Sequence, residues 1–223
     1  MMIQLTQEQI NILEAAGAMP QQEKKSRKPK KLPKVLKPGD AEKLFSKLNV
    51  KCPTGLRDRC CMQVMYSAGL RISEVCNLSV DDVDLVEGYL FLQQAKGNKD
   101  RTVPIDQETI DWFNRWAAIR PESDYFFSTL KGGKMDTRQL REKVYRMSKK
   151  SGVYIRNGKE KKLVNPHSFR HTCFTDMLED GLSVRDIQEM AGHKSLQTTS
   201  IYLSVRPEKL REKIRNRKKA KPQ

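Results

Sequence analysis

The sequence predicts a mixed α/β domain that is mainly α-helical and contains a small antiparallel sheet. Several segments place apolar residues at helical spacing, which indicates amphipathic or buried helices. Two short segments are typical of strands, and turn-forming residues lie between them. The chain has 223 residues, of which 37% are hydrophobic, so it is long enough to bury a core of its own.

The residues before the core are predicted to form a short helix and a basic arm. Thr6 and Gln9 form a capping-box pattern ahead of that helix. The stretch from Gln21 to Pro38 holds three prolines and no periodicity, which is typical of a linker. We therefore divide the chain into a helix and arm over residues 1–37, a globular domain over 38–205 and a basic tail over 206–223.

Within the globular domain, the elements follow in quick succession. Gly69 interrupts the helical pattern once, Gly152 ends a later helix, and the residues from Lys96 to Asp100 form the turn of a β-hairpin. We expect Trp112, Phe113 and Trp116 to pack inside the domain. Helices are predicted over 41–48, 55–68, 72–78, 110–119, 137–150, 166–179, 184–191 and 197–204, and strands over 89–92 and 102–105.

Charge is concentrated at the two ends of the predicted domain. The net charge is +16, and residues 21–37 and 206–223 carry +7 each, which leaves +2 for the rest of the chain. A basic arm on either side of a nearly neutral domain indicates a polyanionic partner. Neither arm interleaves its lysines with bulky apolar residues, which favours nucleic acid over a membrane surface. Two solvated tails that aid solubility are the simpler interpretation.

Other features indicate a cytoplasmic protein without a membrane partner. No stretch approaches the ~18 consecutive apolar residues of a membrane span, and the first residues lack a signal-peptide pattern. The five cysteines are irregularly spaced, so a disulfide framework is not expected. A reducing compartment suits this composition.

Three motifs concentrate polar residues where apolar ones would be expected. In AGLRISE, Arg71 begins a helix and Glu74 lies three residues on, close enough to brace the guanidinium, although an ordinary surface pair would look the same. In PHSFRHT, His167 and Arg170 share one face of a helix that Pro166 starts, and such a helix N-terminus attracts phosphate oxygens. The third motif is GHKS, followed by a tyrosine.

Together these motifs resemble the signature of the tyrosine recombinase (phage integrase) family. The segment AKGNKDRTVPI is similar to the β-hairpin of Xer-type recombinases within that family. The resemblance extends over residues 38–205 and implies the tyrosine recombinase catalytic-domain fold. It also implies a site-specific recombinase or integrase that acts as a homotetramer on double-stranded DNA, with no cofactor or metal. The residues that match the catalytic positions are Arg71, Lys96, His167, Arg170, His193 and Tyr202.

By this resemblance, Tyr202 attacks the phosphodiester and forms a 3′-phosphotyrosine link. A tyrosine hydroxyl is a weak nucleophile, so His167 would accept its proton. Lys96 would protonate the leaving 5′ oxygen, although Lys99 in the same hairpin could serve instead.

The remaining positions would bind the phosphate. Arg71 and Arg170 can each grip the non-bridging oxygens in a bidentate manner and stay charged throughout the reaction. His193 would add a hydrogen bond. His171 is expected to support its helix, and a zinc cluster of His167, His171 and Cys173 is rejected because three ligands along one helix give poor tetrahedral geometry.

Two alternative functions stay open. A type IB topoisomerase uses similar chemistry on a single duplex, and a non-catalytic DNA-binding regulator could keep the fold. Members of the family also carry a separate N-terminal helical domain, for which residues 1–37 are too short. We therefore expect the chain to correspond to the catalytic half, with the basic arms substituting for the clamp or contacting a neighbouring protomer.

Overall fold

The computed structural model describes residues 35–93, 100–157 and 160–192. This part of the chain confirms the predicted fold class, because helices dominate and the strands form small antiparallel sheets. The helices are α1 (Asp40–Phe45), α2 (Pro53–Ser67), α3 (Ile72–Asn77), α4 (Gln107–Ala117), α5 (Thr137–Ser151), α6 (Pro166–Glu179) and α7 (Val184–Ala191). The strands are β1 (Val83–Asp84), β2 (Tyr89–Leu92), β3 (Arg101–Pro104), β4 (Tyr154–Asn157) and β5 (Glu160–Leu163).

Helix α2 is the centre of the core. It begins at a proline in its first turn, where the missing N–H costs nothing, and it packs against α4 on one side and α6 on another. Leu56, Cys60, Cys61 and Val64 are all buried, as their helical spacing predicts. A helix enclosed in this way fixes the relative positions of the elements around it.

The predicted β-hairpin is present as β2 and β3. Leu90 lies opposite Val103, and both are fully buried, while Tyr89 and Phe91 on the other face of β2 are exposed. Strand β3 begins at Arg101, one residue earlier than predicted. The sheet has a third strand, β1, which the sequence did not predict because two residues show no periodicity.

Side-chain caps and glycines set the helix ends. Asp106 accepts a hydrogen bond from the Thr109 amide at the start of α4 (2.8 Å), and Gly152 ends α5 with φ of +69°. In α4, Phe113 and Trp116 are fully buried as predicted, whereas Trp112 packs at the edge of the core. The hairpin of β4 and β5 was not predicted, since EKKL in β5 lacks apolar alternation.

Several predicted segments lie outside the described residues. These are the helix near Thr6, the basic arm up to residue 34, residues 96–99 of the predicted turn, the helix over 197–204 and the basic tail over 206–223. Among the helices that are described, none combines the length and apolar character needed to cross a membrane.

Candidate active site

A glycine bend places the first motif against helix α6. Gly69 has φ of +68°, which favours glycine, and a Cβ atom there would lie 2.8 Å from the ring of Phe174. Beside it, the Cys173 thiol donates to the carbonyl of Ser67 (3.2 Å). The chain therefore turns from α2 into α3 in direct contact with α6, and Arg71 follows two residues after the bend.

Arg71 is the N-cap residue of α3 and is braced by Glu74. The Arg71 amide donates to Oε2 of Glu74 (2.7 Å), and Nη1 of Arg71 donates to Oε1 of the same carboxylate (2.7 Å). The brace predicted from the i and i+3 spacing is therefore present. The side chain of Arg71 remains 32% exposed, so its guanidinium can meet a ligand from solvent.

Helix α6 carries His167 and Arg170 near its N-terminus. Asn165 caps the helix by accepting from the Ser168 amide (3.2 Å), and Pro166 occupies the first turn. The sequence-based assignment of this helix start is confirmed. His167 is exposed at the first turn, whereas Arg170, one turn on, is buried.

Arg170 ties together three parts of the fold. Its Nη1 donates to the carbonyl of Gly69, and its Nη2 donates to the carbonyl of Ala191, the last residue of α7 (2.6 Å). The guanidinium carbon also lies 4.7 Å from the ring centroid of Phe174. With both terminal nitrogens held by backbone carbonyls, the guanidinium plane is fixed before any ligand binds.

The C-terminal end of α7 is held by a second arginine. Nε of Arg101, at the start of β3, donates to the carbonyl of Met190 (2.7 Å), and Nη2 of Arg101 donates to Oε2 of Glu74 (2.9 Å). Gly192 ends α7 with φ of +61° and is the last described residue before His193. The point at which the GHKS motif leaves α7 is therefore anchored to the same cluster as Arg71.

The electrostatics of this cluster keep His167 neutral. Desolvation lowers the pKa of His167, and the charges of Arg170, Arg141 and Arg71 lower it further. The pKa of His171 falls to about 4, first because of desolvation and then because of His167 and Arg170. A neutral imidazole can accept a proton at pH 7, which is the property required of a general base.

Three residues were weighed as a zinc cluster. Packing explains the burial of Cys173, and desolvation together with nearby arginine charges explains the lowered pKa of His167 and His171. The Cys173 thiol is buried, and desolvation raises its pKa above the ordinary range. Over the described ranges, no group of three or more His, Cys, Asp or Glu side chains is arranged to hold a metal ion.

The fold and these motifs have counterparts in known proteins. The model of the phage integrase family matches residues 34–209, which is most of the chain. The chain belongs to the phage integrase family.

Curated relatives within the phage integrase family are tyrosine recombinases. Tyrosine recombinase XerA of Thermococcus kodakarensis is 38% identical over 188 residues, which is 82% of this chain and 62% of the relative. Tyrosine recombinase XerC of Proteus mirabilis is 35% identical over 176 residues, 77% of this chain and 54% of the relative. The chain thus spans only about half to three fifths of the length of these relatives.

Solved structures confirm the predicted tyrosine recombinase fold. A crystal structure of XerA recombinase superposes with a TM-score of 0.70 at 28% identity, covering 87% of this chain and 68% of that one. The XerH recombinase bound to a palindromic difH substrate gives a TM-score of 0.68 at 24% identity, covering 82% and 53%.

Of the six residues matched to the phage integrase signature, the structure describes three. Arg71, His167 and Arg170 lie close enough for the two guanidinium charges to act on the imidazole. Lys96, His193 and Tyr202, together with the alternative Lys99, lie outside the described residues, and their roles stay predictions.

Two further arginines at the site were missed in the sequence. Arg141 is exposed on α5 and acts on His167 through its charge, and only its position on the polar side of an amphipathic helix could have indicated it. Arg101 follows a turn at the start of a strand, where a charged residue is ordinarily solvated. Nothing in its local pattern predicts that its side chain is 7% exposed.

Proposed function

We propose that this protein is a site-specific DNA recombinase that breaks and rejoins strands through a 3′-phosphotyrosine intermediate. The observation that carries the proposal is that the charges of Arg71 and Arg170 both act on His167, while Arg170 binds the carbonyl of Ala191, two residues before His193. The relatives named tyrosine recombinases support the same reaction class.

The arginines would stabilise the charge that develops on the phosphate. Arg71 is held by Glu74 and Arg170 by two carbonyls, so neither guanidinium needs to reorganise when the substrate arrives. Guanidinium groups stay charged at any working pH, and their planar fork matches phosphate oxygens. The bidentate phosphate contacts inferred from the motif are part of this proposal.

Proton transfer would accompany the exchange of one phosphorus–oxygen bond for another. The Tyr202 hydroxyl oxygen bonds to phosphorus while its proton passes to His167, which is neutral at pH 7. The bond from phosphorus to the 5′ oxygen breaks, and Lys96, or Lys99 in its place, gives that oxygen a proton. His193 donates a hydrogen bond to a non-bridging oxygen. A 5′ hydroxyl then reverses the step, so no external energy source is required.

The partner would be double-stranded DNA, bound by a homotetramer on paired sites. The net charge of +16 supports a polyanionic ligand. Arg141 adds an exposed positive charge beside His167, where a phosphate would lie. The XerH site-specific recombinase, which has the same fold, is bound to its difH substrate in a pre-cleavage complex.

The test is capture of the covalent intermediate. Full-length protein is incubated with sheared genomic DNA from its source organism, denatured in SDS, and the covalently attached DNA is sequenced to find the cleavage site. A nicked duplex carrying that site should then give an SDS-stable adduct. Tyr202→Phe should abolish the adduct and keep DNA binding, whereas Tyr154→Phe, on an exposed strand residue, should leave the yield unchanged.

The outcomes separate the alternatives. An adduct of undiminished yield from the Tyr202→Phe protein would remove this tyrosine from the mechanism. Relaxation of a supercoiled plasmid without recombinant products would favour a type IB topoisomerase, and specific binding without any adduct would favour a non-catalytic regulator.

A further inference from the structure

One buried arginine that is not among the six residues matched to catalytic positions connects the parts of the site. Arg101 is the first residue of β3, and its side chain is 7% exposed. Its guanidinium makes two directed contacts, one to the Glu74 carboxylate and one to the Met190 carbonyl. Glu74 in turn holds both the amide and the guanidinium of Arg71. A continuous set of hydrogen bonds therefore runs from α7 through Arg101 and Glu74 to Arg71.

This arrangement is not explained by stability alone. Burial of a guanidinium carries a large desolvation cost, and an apolar residue of similar volume is often as stabilising as a buried ion pair. Among the described residues, Nη1 of Arg101 has no hydrogen-bond partner, so the cost is only partly offset. The single carboxylate of Glu74 serves two arginines, Arg71 and Arg101.

The charge of Arg101 also keeps Glu74 ionised. Burial of Glu74 acts to raise its pKa, but the Arg101 charge and the hydrogen bonds from Arg71 outweigh burial and lower it. An ionised Glu74 accepts from Arg71 with both oxygens, whereas a protonated carboxyl would lose one of these acceptors.

We propose that Arg101 is a positioning residue that sets the orientation of Arg71 and the position of the C-terminal end of α7. The inference rests on the proposed strand-cleavage function, since it assigns Arg101 a role in that site. Arg101 acts through Glu74 and the α7 carbonyl. It is also the first residue of β3, so this strand is joined to the same set of contacts.

The two contacts require the guanidinium fork. Nε and Nη2 point at acceptors on different elements, Met190 of α7 and Glu74 of α3. A lysine keeps the charge but has one nitrogen at the end of a flexible stem, so it cannot hold both acceptors in fixed directions. Arg101→Lys therefore removes the connection and preserves the net charge.

The first experiment compares cleavage rate with DNA affinity. On a nicked duplex carrying the site recovered with the wild-type protein, Arg101→Lys should slow single-turnover cleavage by about 10- to 100-fold, the loss expected from a misplacement of about 1 Å. Affinity for the same duplex should stay near the wild-type value. Arg59→Lys is the matched control, since Arg59 is also buried and paired with a glutamate but lies outside this set of contacts. Equal slowing in both variants would overturn the proposal.

A double-mutant cycle separates positioning from general damage. If Arg101 acts through Glu74, Arg101→Lys combined with Glu74→Gln should be about as slow as the slower single variant. If the two losses simply multiply, the residues act independently and the proposal is wrong. Should Arg101→Lys fail to fold, Glu74→Gln alone tests the connection, and a wild-type cleavage rate in that variant contradicts it.

A measurement without activity keeps this inference distinct from the proposed function. By NMR, Arg101→Gln, which removes the charge, should raise the pKa of Glu74, and Arg101→Lys should speed hydrogen exchange at the amides of Arg71 and Gly192, while amides in α4 keep their protection. If wild-type protein forms no adduct, the proposed function fails, and these measurements still decide whether the connection exists. Unchanged Glu74 titration and unchanged exchange would overturn it.

Discussion

Arg59 and Arg170 are both buried arginines, yet they contact different kinds of groups. Arg59 lies between two aromatic rings, with its guanidinium carbon 4.2 Å from the Phe45 centroid and 4.5 Å from the Trp112 centroid. Its nitrogens donate to the side chains of Gln63 (2.5 Å) and Glu108 (3.1 Å). Arg170 instead donates to backbone carbonyls at a bend and at a helix end.

The difference in partners indicates that Arg59 has a packing role and that Arg170 has a positioning role. The partners of Arg59 are side chains, and its contacts join α2 to α1 and α4 inside the core. The partners of Arg170 are backbone carbonyls, whose positions are set by the fold. These carbonyls hold the guanidinium, and the guanidinium in turn holds the Gly69 bend and the end of α7 together. The first arrangement stabilises a fold, and the second holds a charged group in one orientation.

The largest effect is expected at Arg170. Arg170→Lys keeps the charge but cannot hold the Gly69 and Ala191 carbonyls together and also meet a phosphate. Loss of one oriented donor of this kind costs about 10²- to 10³-fold in rate, so the single-turnover cleavage rate should fall by at least that factor. A cleavage rate within a few-fold of wild type would remove the distinction between the two arginines.

The next effect concerns the bend whose carbonyl Arg170 binds. Gly69→Ala should lower the free energy of unfolding for two reasons. The left-handed backbone conformation costs an alanine about 1–2 kcal/mol, and overlap of its Cβ with the Phe174 ring adds about 1–3 kcal/mol. Gly152 has nearly the same positive φ but open space around it. The free energy of unfolding of Gly152→Ala should therefore fall only by the backbone cost of about 1–2 kcal/mol. The comparison is made by denaturant unfolding, and equal losses would show that contact with α6 is unimportant.

At Arg59 we expect a loss of stability without a loss of chemistry. Arg59→Met should change the free energy of unfolding by about 1–3 kcal/mol, the range for altered buried polar contacts. Cleavage measured well below the unfolding temperature should proceed at the wild-type rate. A specific cleavage defect would place Arg59 in the site and contradict the division drawn above.

The smallest effect is expected at His171, whose pKa is lowered first by desolvation and then by the charges of His167 and Arg170. The pKa of His171 is about 4 in the folded chain and near its ordinary value of 6.5 in the unfolded chain. The unfolded chain therefore binds an extra proton between these values, so the free energy of unfolding decreases as the pH falls from 6.5 to 4. Allowing for partial exposure, the decrease is about 1–2 kcal/mol.

The check is urea unfolding across this pH range. His171→Gln should show a shallower pH dependence than wild type, since glutamine cannot take up the proton. An identical slope in both proteins would show that His171 titrates normally in the fold.

The sequence predicted the local parts of the molecule well. Helix α6, α7 and the Arg71–Glu74 brace depend on capping residues and on spacing within a few positions, and the boundaries of both helices are as predicted. Strand β2 has the predicted bounds, whereas β3 is shifted by one residue because strand ends depend on pairing and not on the pattern alone.

What the sequence could not show depends on contacts between distant residues. Arg101 reaches Met190 across 89 positions, and Arg170 reaches Gly69 across 101. No periodicity encodes such contacts, since they arise only after α2 has brought these elements together. Strand β1 and the β4–β5 hairpin were missed because one is too short and the other too polar to show an alternating pattern.

The sharing of Glu74 by two arginines leaves the centre with an excess of positive charge. Arg71 and Arg101 both pair with the one carboxylate of Glu74, and the charges of Arg71 and Arg170 both act on His167. In the absence of an anion, each like charge brought there lowers the free energy of unfolding. A phosphate that binds only the folded chain reverses this by mass action. We therefore expect the free energy of unfolding to rise when a phosphate group occupies this centre.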